Sequence, residues 1–95
     1  MSARAPEVRD NAAASRFEID AAEGTPQLRY ERRDGVMHLV HTEVPPSMEG
    51  KGYGSVLAKA ALDAARAAGL KVVPSCPFMH EYIERHREYA DLVAR

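Results

Sequence analysis

Met48-Glu49-Gly50-Lys51-Gly52-Tyr53-Gly54-Ser55 stands between a strand-like run and an alanine-rich stretch of helical period, and its reading decides the fold. Glycine adopts backbone angles closed to other residues and lets the main chain come close to a ligand. Three glycines at alternate positions directly ahead of a helix predict a turn whose last residues open that helix. The first-turn N–H groups would then point into the loop, which is a ready site for a phosphate or diphosphate. A tight turn with permissive glycines is the plainer reading of the same residues.

Downstream, Val56, Leu57, Ala60, Ala61, Ala64 and Ala65 recur at helical spacing as far as Ala68, and Gly69 stands where a helix C-cap belongs. Upstream, Arg16-Phe17-Glu18-Ile19-Asp20 and Gln27 to Arg32 alternate polar with apolar residues, as half-buried strands do. Asp34-Gly35 between two such runs is a strong hairpin signal. Val36 to Glu43 places Met37, Leu39, His41 and Glu43 on one face and Val36, His38, Val40 and Thr42 on the other. The three runs predict an antiparallel meander ended by Pro45-Pro46. Leu70 to Pro74 reads as a short buried strand reached by a helical crossover. Residues 77–86 read as a second helix with Pro77 in its first turn, and Glu88 to Ala94 as a final short turn or helix. The fold class is therefore α/β (α+β): a mostly antiparallel sheet of three to four strands with two main helices. A flexible segment at residues 1–14 is expected to precede a single domain at 15–95.

Composition narrows the function. In 95 residues, 13 Lys and Arg face 14 Asp and Glu, for a formal charge of −1. That balance lacks the cationic surplus by which phosphate-backbone binders are recognised, so no nucleic-acid partner is expected. The longest apolar run, Ala67 to Leu70, falls far short of the ~18 residues of a membrane span, and the first residues carry no signal-peptide core. A single cysteine forms no internal disulfide. These features predict a soluble, cytoplasmic protein with a reduced thiol and no membrane partner.

The loop spacing matches neither G-x-x-x-x-G-K-[ST] nor G-x-G-x-x-G. Lys51-Gly52-Tyr53-Gly54 copies the opening of an RNA-recognition consensus, but that consensus must lie on a strand, and here helical period begins at once. Taken with His41-Thr42-Glu43-Val44-Pro45-Pro46 and Val73-Pro74-Ser75-Cys76-Pro77, the loop resembles the small, single-domain branch of the GNAT acetyltransferase superfamily. The superfamily loop is commonly written Gln/Arg-x-x-Gly-x-Gly/Ala. Gly52 and Gly54 fit its last part, while Glu49 departs from its first and is expected to face solvent. The resemblance implies acetyl-CoA as cofactor, with its diphosphate on the N–H groups of Gly50, Lys51, Gly52, Tyr53, Gly54 and Ser55. Pantetheine would run along the third strand as far as Val44. It further implies transfer of an acetyl group to an amine or a related nucleophile. A CoA-binding sensor without turnover is the alternative, and an RNA-binding module a more distant one.

Cys76 precedes Pro77 at a predicted helix start, where the positive end of the helix dipole favours thiolate, the form that accepts an acetyl group. A small buried hydrophobe is the other reading of a free cysteine. His80, one turn on, is a candidate base or a surface histidine. Two ligands at Cys76-x-x-x-His80 do not make a metal site, so none is expected. His41 and Glu43, two apart on the third strand, form the second catalytic candidate, with Glu43 taking a proton from an amine. A solvated strand-end carboxylate and a core-edge histidine are their plain readings.

Overall fold

The computed structural model describes residues 6–94. Five strands lie in the order β1-β2-β3-β4-β5: β1 Arg9–Asn11, β2 Arg16–Glu18, β3 Gln27–Arg33, β4 Val36–Glu43 and β5 Lys71–Pro74. The first four are antiparallel neighbours, and β5 pairs parallel to β4. Helix α1, Tyr53–Ala67, makes the crossover between β4 and β5. Helix α2, Pro77–Arg85, and a 3-10 turn at Arg87–Leu92 complete the chain.

Local chemistry explains most of these boundaries. Asp34 and Gly35 both have positive φ, 54° and 76°, which is the twist a two-residue hairpin needs. Gly69 at φ 71° ends α1, with Leu70 N–H bonded back to Ala65 C=O at 2.8 Å and Gly69 N–H to Arg66 C=O at 3.1 Å. Leu57, Ala58, Ala61, Leu62 and Ala65 bury one stripe of α1 against Phe17, Leu28, Met37 and Leu39 of the sheet. The same core takes in Met79, Tyr82 and Ile83 of α2 and Tyr89 and Leu92 of the last turn. Each fully buried Leu contributes about 1.5–3 kcal/mol of apolar transfer.

Two expectations are corrected. The sheet has five strands rather than three or four, because Arg9–Asn11, within the segment expected to be flexible, pairs with β2. Side chains draw it in: Tyr30 Oη donates to Asp10 Oδ1 at 2.6 Å, and Arg9 pairs with Glu18. Glu18 is 2% exposed, on the sheet face away from the helices, and bonds from Arg9 and Arg16 hold its carboxyl below the usual range. Burial, helped by Asp10, pushes the Tyr30 phenol up to about 12, so it stays a donor. The expected boundary at residue 14 therefore falls inside folded structure, while residues 1–5 and 95 lie outside the described part.

The second correction concerns β4. Its pairing with β3 shifts between Arg29 and Tyr30: Tyr30 faces Leu39, but Arg29 faces His41. Val40 is thus the extra residue of a bulge, and the strand turns over at it. Met37 and Leu39 point into the core. Beyond the bulge Thr42, opposite buried Leu28, takes the inner face, while His41 and Glu43 turn outward and are exposed.

Candidate functional site

Helix α1 opens on Gly52 at φ 85°, with no side chain capping it. The first intrahelical bond runs from Val56 N–H to Gly52 C=O at 3.1 Å, so the amides of Tyr53, Gly54 and Ser55 precede it and face outward. Gly50 also has positive φ, 81°, and a Cβ built at Gly50 or Gly52 would meet nothing within 4 Å. The space in front of these glycines is open. Val44, Gly50, Gly52, Tyr53, Gly54 and Ser55 line one groove of about 200 Å³, so six of the seven residues expected to hold the cofactor come together. Lys51 is the exception, its Nζ lying 3.6 Å from Glu23 Oε2 on the β2–β3 loop. Glu49 is exposed, as expected, and lies on the groove's rim.

Gly54 serves a purpose the loop spacing did not suggest. A Cβ there would lie 2.9 Å from Cζ of Phe78 and 3.4 Å from both Cε atoms, so the ring meets the glycine tip-first. Phe78 is nonetheless 40% exposed. It lines the same groove as Val44 and the glycines.

Cys76 is the N-cap residue of α2, with Pro77 following. Its N–H donates to Leu39 C=O at 3.0 Å, just where the paired stretch of β4 and β5 ends. Past that point β4 has no strand partner on this side, and the gap is closed by the thiol, which donates to Thr42 Oγ1 at 3.6 Å. Cys76 is 6% exposed. Burial pushes its thiol up, but the Thr42 hydroxyl and the amides of Met79, Phe78 and Thr42 favour thiolate more strongly, and the net shift is downward. Thr42 was not singled out from the sequence. Strict alternation puts it on the outer face, and only the bulge turns it inward.

The other candidates lie elsewhere. Glu43 accepts from Gln27 Nε2 at 3.1 Å on the exposed face, beside His41, and both point away from the thiol. His80 lines a separate groove with Pro74, Glu84 and Arg87, and its backbone N–H, rather than its ring, reaches Cys76 through the helical bond to C=O. Tyr53 opens α1, so residues 51–54 provide no strand on which an RNA-recognition motif would display its aromatics. Among the described residues no group of three or more His, Cys, Asp or Glu is placed to hold a metal ion. Likewise, no helix there is long and apolar enough to cross a membrane.

The family model described as GCN5-related N-acetyl-transferase matches residues 16–92. The chain belongs to this family. A GCN5-like protein from Staphylococcus aureus, solved by NMR in solution, superposes with a TM-score of 0.73 at 27% identity, covering 93% of this chain and 87% of that one. Protein NATD1 from Gallus gallus and from Homo sapiens is 37% identical over 51 residues, or 54% of this chain. That match spans 46% of the chicken protein and 45% of the human one, so the chain aligns with less than half of either.

Proposed function

We propose that this protein binds acetyl-CoA and passes its acetyl group to an amine or a related nucleophile, with Cys76 as the first acceptor. The observation that carries this reading is the groove lined by Val44, Gly50, Gly52, Tyr53, Gly54 and Ser55, with the α1 amides open to it and with the contacting pair Thr42 and Cys76 each two residues along the chain from the groove residues Val44 and Phe78. The residues fit the group: the glycines leave room for a diphosphate, and three outward amides meet its charge. Lys51 adds a cation once it leaves Glu23, at little cost for so exposed a pair.

Acetyl-CoA supplies an acetyl group activated as a thioester. The Cys76 thiolate attacks the acetyl carbonyl; a new C–S bond to Cys76 forms as the bond to the coenzyme's sulfur breaks, and that sulfur leaves as thiolate. The acceptor amine then attacks the Cys76 thioester, an amide forms, and the Cys76 thiolate is released while the amine's proton passes to solvent. Thr42 and the α2 amides hold the sulfur charge at the start and the end of this cycle. His41 and Glu43 suit a direct route, in which Glu43 takes the amine's proton, but they face away from the thiol.

Calorimetric titration with acetyl-CoA is expected to saturate, and a flat trace at millimolar cofactor removes the proposal. Intact mass after mixing should show one acetyl adduct that is lost in Cys76→Ala. The burial of Cys76 favours a second reading, a CoA-binding sensor without turnover. Saturable binding with no adduct and no acceptor-dependent turnover would select it.

A further inference from the structure

The bulge at Val40 also shapes the sheet face that lies away from the helices. Register there sets Asn11, Arg16, Arg29 and His41 in one row across β1 to β4. Arg16 and Arg29 are therefore directly opposite, and like charges so placed destabilise a sheet. Arg16 is neutralised by Glu18 and donates to Gln27 Oε1 at 3.1 Å. Among the described residues Arg29 and His41, both exposed, have no ion-pair or side-chain hydrogen-bond partner.

These two residues line a cavity of about 460 Å³ together with Ala13, Ala14, Ser15 and Val40. Val40 is 42% exposed and gives the cavity an apolar side. Ser15 holds φ 54°, a left-handed conformation uncommon outside glycine. Its N–H on Ala12 C=O at 3.1 Å and its C=O on the Tyr30 N–H at 3.0 Å fix it there. A strained residue, a bulge and an unpaired guanidinium around one cavity mark a place kept for a ligand.

The chemistry of the lining narrows the ligand. A guanidinium offers a planar fork of N–H donors that matches the two oxygens of a carboxylate. The His41 ring supplies a further donor beside it. Glu31, which also lines the cavity, is paired with Arg33 at 3.1 Å, so Arg29 is the one fixed charge left over. That balance suits a monoanion, while Val40 and the two alanines suit a short hydrocarbon tail. We propose that this cavity binds a small organic carboxylate, its anion on Arg29 and His41 and its tail against Val40, Ala13 and Ala14. The site does not depend on the acetyl-CoA reading, since none of its residues belongs to the glycine groove or to the Thr42–Cys76 pair.

The test is a heteronuclear NMR titration of the full chain with sodium butyrate, with sodium chloride and inorganic phosphate as parallel arms at matched ionic strength. Butyrate should shift the amides of Arg29, Val40 and His41 saturably. Arg29→Gln should weaken it by about tenfold or more, the scale of a lost charge-assisted pair. Arg29→Lys keeps the charge without the fork and should show an intermediate loss. Arg32→Gln, which removes an equal charge from the other side of β3, should leave butyrate binding unchanged. Because Arg29→Gln also relieves Arg16, its melting temperature should hold or rise, which separates lost binding from lost fold. Shifts that follow ionic strength alone, or that persist undiminished in Arg29→Gln, overturn the proposal. Phosphate binding as tight as butyrate overturns the carboxylate assignment.

Discussion

The two helix starts of this small domain carry the same dipole and use it differently. At α1 the cap is Gly52, left-handed and without a side chain, and three amides open onto a groove. At α2 the cap is Cys76 followed by Pro77, packed under β4, and the amides of Phe78 and Met79 act on one sulfur. A helix N-terminus in water suits a large, multiply charged ligand, because such a ligand can be covered and released. Buried, it suits a single atom whose ionisation it tilts. Depth and the identity of the cap, rather than the helices themselves, separate the open helix start from the one that acts on a buried sulfur.

The largest effect that would break this contrast is expected at Gly52. A valine there must hold φ near 85°, at about 1–2 kcal/mol for a non-glycine residue in the left-handed region. Gly52→Val should lower the melting temperature and weaken CoA measured by calorimetry. The pH profile of Cys76 alkylation should stay where it was, and a parallel shift of that profile would show that the two ends are not independent.

A smaller change addresses the other end. Thr42→Val removes the hydroxyl facing the thiol, so the midpoint of alkylation against pH should move up, with Thr42→Ser holding it in place. The sign for stability follows. A thiol depressed in the folded state adds stability that is complete above its ordinary value and is lost as pH falls through the folded one. Thr42→Val should flatten that rise in a set of melting curves across alkaline pH, with CoA affinity unaltered.

The smallest expected effect is at Lys51. With the Glu23 pair half in solvent, Lys51→Ala should change stability by less than ~1 kcal/mol. It should weaken CoA several-fold in calorimetry at low salt and hardly at all at high salt, since one exposed cation is screened. Salt-independent weakening would mean that Lys51 shapes the loop rather than meeting charge.

Most of the fold was legible because it is written in local codes. Alternation in Gln27–Arg32, the Asp34-Gly35 hairpin, the alanine stripe ended by Gly69 and the Cys76-Pro77 helix start each act over a few residues. The glycine groove was legible for the same reason, six of its residues being neighbours along the chain or just past the preceding strand. The bulge at Val40 was not. No residue there breaks the alternation, and the turn-over arises from how β3 and β4 pair. Its consequence reaches the site, since it brings Thr42 to the thiol and sends His41 and Glu43 to the opposite face. Strand β1 was missed because Arg9–Asn11 has no apolar face of its own and is held by Asp10 to Tyr30 and Arg9 to Glu18.

What the amino-acid order settled unaided was the succession of elements and the pair of helix starts, since propensity, caps and turns are short-range. Tertiary structure alone decided which side of β4 meets the cysteine, how deep that thiol sits, and that Phe78 rests on Gly54. Those depend on contacts between residues 24 and 34 positions apart, and only the packed core brings such residues within reach.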